Sequence, residues 1–406
     1  MAGMRFFAPA LFFAPTLAFA QAAILTAPPD FPACVAQLRA LAQREGISSE
    51  TFEATVARVD PDPTVIEAMG NQPEFSTPIW QYMSALVDDK RIADGRAQLK
   101  LWSPTLERAE KAYGVDRHVI IAVWGVESNY GKIMGRRPLV RSLVTASCYG
   151  KRQNFFRGEL MSALKILGSG DIEAELLKGS WAGAFGHTQL MPSTFHRTAV
   201  DFDGDGRRDL VTSIPDALGS TANYLKLAGW QTGQPWGYEV KLPARYSGPS
   251  GRKNRQPLDD WHALGIRRLD GKTIGGEANA ALLLPAGARG PAFIALRNYD
   301  AIYSYNTAES YALAIAHLAD RLRGGAPFRK AWPTDDPGLS RAQRLELQER
   351  LASQGYDVGE PDGLIGPRTI DAIKAFQVTR GMQPDGYAGQ RVLRALQSPA
   401  PAPKPK

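Results

Sequence analysis

From Phe31 to about Arg323 the apolar residues recur mostly at helical spacing. Between Val35 and Glu45, Val35, Leu38 and Leu41 fall on one face, and the segment stops at Gly46. Leu106 to Tyr113 is a second short amphipathic helix, stopped by Gly114. Asp116 stands where an N-cap belongs, ahead of His118 to Val126, which has very few polar positions. A helix apolar on nearly every side is a buried one. Arg157 to Leu167, Pro215 to Leu227 and Tyr311 to Leu322 continue the series. Residues 231–297 break it, being rich in Gly and Pro with short β-like runs such as Tyr238-Glu239-Val240. The pattern predicts a mainly α (α+β) fold with a small strand-containing excursion.

A second break runs from Gly324-Gly325-Ala326-Pro327 to Asp335-Asp336-Pro337 and predicts a linker over 324–337. It separates a first unit, 28–323, from a compact unit, 338–397, in which two Asp-Gly turns divide helical segments. Residues 398–406 form a Pro-rich tail with no core of their own. At about 150 residues per domain, the 406-residue length allows two to three domains. The composition, 44% hydrophobic and 22% charged, is that of a globular protein and excludes disorder, collagen and coiled-coil arrays.

The beginning of the chain sets the compartment. Arg5 is the only charge in residues 1–20, and an apolar run from Phe6 ends in Ala18-Phe19-Ala20. A basic start, a short apolar stretch and an A-x-A ending predict a signal peptide. The run is short for a membrane span of about 20 residues, and Pro9 and Pro15 weaken it as a helix. Gln21 comes next, not a cysteine, so no lipid anchor is expected there. Removal of Arg5 takes the net charge from +7 to +6, which suits anionic partners without choosing among nucleic acid, lipid and acidic polysaccharide. In an oxidising compartment the only two cysteines, Cys34 and Cys148, are expected to form a disulfide, contributing on the order of 4 kcal/mol by loop-closure entropy.

Four clusters could carry chemistry. Glu127 ends the apolar helix in Trp124-Gly125-Val126-Glu127-Ser128-Asn129-Tyr130-Gly131. A carboxyl against an apolar wall loses hydration, so its pKa rises and it can act as a general acid. The alternative is a solvated or salt-bridged helix-end Glu. From Ser128 to Gly158 the charges are all basic, including Lys132, Arg136, Arg137 and Arg141. Such a field favours carboxylate, so burial would have to outweigh it. Gly179 to Pro192 alternates glycine with hydroxyl, amide and aromatic groups, a mixture suited to sugars. Asn298-Tyr299 through Tyr305-Asn306 to Ser310-Tyr311 is polar-aromatic ahead of a helix.

The fourth cluster, Asp201-Phe202-Asp203-Gly204-Asp205-Gly206, matches the start of a calcium loop. Thr212 replaces its twelfth-position Glu, and Asp216 lies far enough on to close a longer loop. A metal-free Asp/Gly turn is the alternative. The five histidines have no zinc-ligand spacing, and neither a G-x-S-x-G elbow nor a P-loop is present.

In order along the chain, Val123-Trp124-Gly125-Val126-Glu127-Ser128, Gly179-Ser180-Trp181-Ala182-Gly183-Ala184, Gln189 through Pro192, the Asp201–Gly206 loop and Tyr305-Asn306 resemble the lytic murein transglycosylase B family. The likeness covers roughly 31–323 and is to a soluble, exported member. Leu347 to Leu351, Gly355-Tyr356, Asp362-Gly363, Gly366, Thr369, Ala372 to Gln377, Gly381 and Asp385-Gly386 resemble the three-helix peptidoglycan-binding module.

The likeness implies a lysozyme-like helical catalytic domain that cleaves the β-1,4 bond between N-acetylmuramic acid and N-acetylglucosamine, leaving 1,6-anhydromuramic ends. By it Glu127 is the single acid/base, and Ser180, Gln189, Tyr224, Tyr305, Asn306 and Tyr311 position the sugars. Phe185 and His187 stand at variable motif positions and receive no role. No cofactor is required, and structural calcium would sit on Asp201, Asp203 and Asp205. The implied partners are peptidoglycan glycan strands and other cell-wall enzymes, with no nucleic acid and no membrane anchor, in the periplasm of a Gram-negative bacterium. Two rivals remain: a lysozyme-type hydrolase using the same glutamate, and a non-catalytic wall-binding protein.

Overall fold

A computed structural model describes residues 31–70 and 77–398, so the expected signal peptide and nearly all of the Pro-rich tail lie outside the described residues. The chain opens with helices α1 (Phe31–Arg44), α2 (Ser49–Thr55) and α3 (Pro63–Gly70). It continues with α4 (Ile79–Leu86), α5 (Asp89–Leu101), α6 (Ser103–Tyr113) and α7 (Arg117–Ser128). After strand β1 (Arg137–Pro138) come α8 (Leu139–Tyr149) and α9 (Gln153–Ser169), then β2 (Lys178–Gly179), α10 (Pro192–Thr198) and α11 (Ile214–Leu227).

The excursion comes next as β3 (Gly237–Lys241), β4 (Arg255–Pro257), α12 (Leu258–Ala263), β5 (Arg267–Arg268), β6 (Asn279–Leu283) and β7 (Ala292–Ala295). Helices α13 (Arg297–Tyr303) and α14 (Glu309–Leu322) complete the first unit. The C-terminal unit is α15 (Arg341–Ser353), α16 (Pro367–Thr379) and α17 (Gln390–Gln397). Among the described residues no helix is long and apolar enough to cross a membrane.

Helix ends fall where local chemistry puts them. The Asp116 carboxylate accepts the His118 N–H at 2.8 Å, capping α7. Gly114, at φ 70°, ends α6 in a left-handed conformation that glycine adopts without strain. Buried on nearly all sides, α7 packs against α5, α6, α11 and α14 in one core. A second core joins α1 and α2 to α8, α9 and α10, where Cys34 and Cys148 form a disulfide.

The sheet, ordered β4-β6-β7-β3-β5 and antiparallel throughout, has Ile294 of β7 between Tyr238 and Leu282. Every residue of β7 is buried, as expected for a central strand covered on both faces. Trp261 of α12 fills one side, while Phe293 on the other face joins the core of α7 and α14.

The segment expected as a linker is bound down along much of its length. Phe328 lies 4.7 Å from the Phe293 ring and 3.7 Å from the His317 ring. The N–H groups of Arg329 and Lys330 donate to Glu239 at 2.8 and 2.9 Å. The three-helix module beyond it rests on the sheet excursion. Asp385 accepts the Ala288 N–H at 3.0 Å, and the Lys374 ammonium donates to the Gly248 carbonyl at 2.9 Å. Gly287 permits the approach, because a Cβ there would lie 2.6 Å from the Asp385 carboxylate.

Candidate active site

The C-terminal end of α7 places Glu127 beside Tyr311 of α14, and Trp124 and Ser128 of the same helix reach the loop before α10 at His187. Glu127 is half-buried, and the Tyr311 hydroxyl donates to its Oε1. Burial pushes the Glu127 carboxyl up to about 8, against the hydrogen bond from Tyr311, which favours the carboxylate. No other charged group contributes to the shift among the described residues. The basic stretch after Glu127 is spent elsewhere: Arg137 reaches Thr64, Arg141 reaches the carbonyls of Asp60 and Pro61, and Lys132 pairs with Asp94. Burial therefore outweighs the local positive charge.

Three tyrosines form a continuous wall leading to that carboxyl. The rings of Tyr224 and Tyr305 are 4.6 Å apart, and Tyr305 stacks on Tyr311 at 6.4 Å with planes 22° apart. Burial, with the Glu127 charge adding to it, holds the Tyr305 and Tyr311 phenols well above their usual range, so both stay neutral donors. Tyr305 donates to the Thr188 carbonyl at 2.7 Å, and Tyr224 to the Ser304 carbonyl at 2.8 Å.

Gln189 adopts φ 50°, a left-handed conformation uncommon for a side-chain-bearing residue. Its amide nitrogen donates to the carbonyls of Met134 (3.0 Å) and Gly186 (2.7 Å), which fixes the amide plane and leaves its carbonyl oxygen for a ligand. The Ser180 hydroxyl accepts the Ala184 N–H at 3.0 Å, closing the glycine-rich turn. Asn306 is exposed in the turn between α13 and α14, with no side-chain bond to the others among the described residues. Glu127, Tyr224, Tyr305, Tyr311 and the Gln189 segment are thus linked by contacts, Ser180 through its turn, and Asn306 by position alone.

The Asp-rich loop stands apart. Asp201, Asp203 and Asp205 are exposed, with ligand oxygens all within 4.8 Å of one another, a hard-oxygen set that fits a calcium ion. Asp216 does not belong with them, contrary to the longer-loop expectation. It is fully buried, and its carboxylate accepts the N–H groups of Phe202 (2.7 Å), Asp203 (3.2 Å) and Asp209 (2.8 Å). Those bonds shape the loop from inside, and Asp216 is not among the clustered carboxylates.

The transglycosylase SLT domain family matches residues 30–320. The chain belongs to that family. A peptidoglycan binding domain family matches residues 340–396. The membrane-bound lytic murein transglycosylase B of Escherichia coli is 29% identical over 292 residues, 68% of this chain and 79% of that protein. Among solved structures, Pseudomonas aeruginosa SltB3 in complex with NAG-anhNAM-pentapeptide is 44% identical, with a TM-score of 0.88 over 91% of this chain and all of that one. The Escherichia coli lytic transglycosylase Slt35 in complex with calcium is 27% identical, with a TM-score of 0.64 over 74% of this chain and 94% of its own.

This SLT-family chain is a lytic transglycosylase, a lyase acting on peptidoglycan, with a lysozyme-like catalytic fold and a helical wall-binding module. The sequence alone points to no role for Ser128, His187 or Thr188: Ser128 and His187 join α7 to the Gln189 segment, and the Thr188 carbonyl joins that segment to Tyr305. Their signal was present only as proximity to Glu127 and Gln189, since pairings across 59 to 117 positions are not local.

Proposed function

We propose that Glu127 alone serves as acid and then base in a non-hydrolytic cleavage of the muramyl–glucosaminyl bond. The observation that carries this is its carboxyl: raised to about 8 by burial, bonded to Tyr311, and without a second carboxylate among its influences from the described residues. Protonated at neutral pH, it donates its proton to the glycosidic oxygen as the C1–O bond breaks. The substrate's own acetamido group supports the oxocarbenium-like centre. The resulting carboxylate, held by the Tyr311 hydroxyl, removes the proton of the muramic C6 hydroxyl. O6 then bonds C1 and closes the 1,6-anhydro ring, so no water is consumed. A lysozyme-type retaining site calls for a second carboxylate about 5 Å from the first, and none of the described residues supplies one among the influences on Glu127. The solved complexes of SltB3 with NAG-anhNAM-pentapeptide and NAG-NAM-pentapeptide supply a relative's product-like and substrate-like ligands.

The aromatic wall of Tyr224, Tyr305 and Tyr311 supports their assignment to sugar faces, with Gln189, Ser180 and Asn306 on ring substituents and acetamido groups. Glu127→Gln is expected to fold, bind wall and release no muropeptides, while wild-type products weigh one water less than hydrolysis products by mass spectrometry. Activity of the variant within roughly tenfold of wild type contradicts the assignment.

Periplasmic residence is supported by the disulfide and by the apolar run of residues 6–20. Asp201, Asp203 and Asp205 would hold a structural calcium ion. If so, micromolar to millimolar calcium raises the melting temperature of metal-stripped protein, and Asp201→Asn with Asp205→Asn removes the rise.

A further inference from the structure

Three links converge on His187. Its Nδ1 accepts the Trp124 indole N–H at 3.1 Å, and its carbonyl accepts the Ser128 hydroxyl at 2.5 Å. Its own backbone N–H donates to the Leu210 carbonyl at 2.9 Å. The ring also lies against the turn after Glu127, since a Cβ on Gly131 would stand 2.5 Å from Cε1. Trp124 and Ser128 flank Glu127 on α7, while Thr188 and Gln189, directly after His187, bond Tyr305 and Met134. One residue therefore touches both sides of the site.

The end of α7 requires such a hold. Asn129 and Tyr130 have φ of 50° and 59°, and Gly131 continues the left-handed run at 81°. Asn129 tolerates this backbone, but Tyr130 is strained in it, a conformation that persists only where its surroundings over-determine it. Tyr130 supplies one restraint: its hydroxyl donates to the Arg91 carbonyl at 2.9 Å, and its ring packs over Gly125 and Gly95. The Trp124 indole is gripped edge-on from two sides, by Tyr130 at 5.7 Å and 89° and by His187 at 5.5 Å and 74°. Only the second grip reaches the Gln189 segment.

We propose that His187 is a positioning residue, whose neutral imidazole clamps the last turn of the catalytic helix to the Gln189 segment and so fixes the Glu127 carboxyl relative to the bound sugar. An indole N–H can only donate, so Nδ1 must be the bare nitrogen and Nε2 must carry the proton. Burial keeps the ring neutral, against the opposing influence of Asp209. The clamp rests on the reading of Glu127 as acid/base, and its contribution is geometric: displacement of a reacting group by about 1 Å can lower a rate by as much as a hundredfold.

Two amide substitutions in the full-length protein separate clamp from filler. Asparagine carries its oxygen near the position of Nδ1, whereas glutamine carries it near Nε2. His187→Asn is expected to keep kcat on soluble glycan strands within about threefold of wild type, and His187→Gln to lose about tenfold or more, with KM changed less than about twofold in both. Equal kcat values in the two variants, or a loss expressed in KM, overturn the proposal. Nitrogen-15 spectra of the histidines test it in the unmodified protein. The Nε2–H tautomer at His187 is expected, and an Nδ1–H tautomer or a charged ring at pH 7 overturns it even if a variant fails to fold. Glu127→Gln, assayed alongside, keeps the two readings apart: activity there removes the acid/base assignment and leaves the tautomer result standing.

Discussion

Tyr311 reaches Glu127 across 184 positions of sequence, and its hydroxyl is the one hydrogen-bond donor to that carboxyl among the described residues. Because it donates to the carboxylate, its removal leaves Glu127 harder to ionise. Tyr311→Phe is therefore expected to shift the alkaline limb of the kcat–pH profile above its wild-type position near pH 8, and to lower kcat at pH 7 by about tenfold. An alkaline limb that moves down, or stays, contradicts the arrangement. The same carboxyl affects stability. An unfolded Glu releases its proton near 4.5, while the folded one holds it to about 8. Between these values the folded state binds more protons, so this group's contribution to stability falls as pH rises. Thermal unfolding should show Glu127→Gln gaining on wild type as pH increases from 4.5 to 8. At this scale the sequence exposed Glu127, because an acid at the end of an all-apolar helix is conspicuous. His187 was hidden, because its role consists of a partner distant in sequence.

At the scale of the element, α7 is both the best-announced helix and the most constrained. Its start was legible in Asp116, and the end of α6 was legible in Gly114, because caps are local chemistry. The turn that leaves α7 was only partly legible: Asn129 suits a left-handed cap, but Tyr130 carries no signal for left-handed backbone. Gly125 shows why the turn survives. A Cβ there would stand 2.7 Å from the Tyr130 ring and its hydroxyl. Gly125→Ala gains about 1 kcal/mol in helix propensity, yet it displaces the ring that holds the turn. We expect a lower melting temperature and a fall in kcat together, by calorimetry and product release. A stabilised, fully active variant would show that the ring is free to move.

The whole molecule departs furthest from its sequence pattern. Residues 324–337 read as a spacer on composition, but Phe328 and the backbone at Arg329 and Lys330 are bound to the first unit. Gly and Pro content reports what backbone shapes are allowed and says nothing about what lies alongside. The sheet order β4-β6-β7-β3-β5 was equally out of reach, since strand pairing between distant segments leaves no local period. Docking of the module predicts a separable effect. Asp385→Ala combined with Lys374→Ala should leave both units folded and the rate on short soluble glycans unchanged. Small-angle scattering should show an expanded particle. Scattering identical to wild type would mean that these two contacts do not hold the units together.

The packing of the first two helices carries a consequence for the order in which the protein is made. Helix α1 rests against α8, helix α2 against α9, and Cys34 is joined to Cys148, 114 positions on. A growing chain emerges N-terminus first, so these helices have only each other to settle on until residues 139–169 have appeared. They must wait, exposed, through the synthesis of everything between. Helices α1 and α2 are thus among the later parts to fold, and any fragment ending before α8 begins carries two amphipathic helices without these partner surfaces.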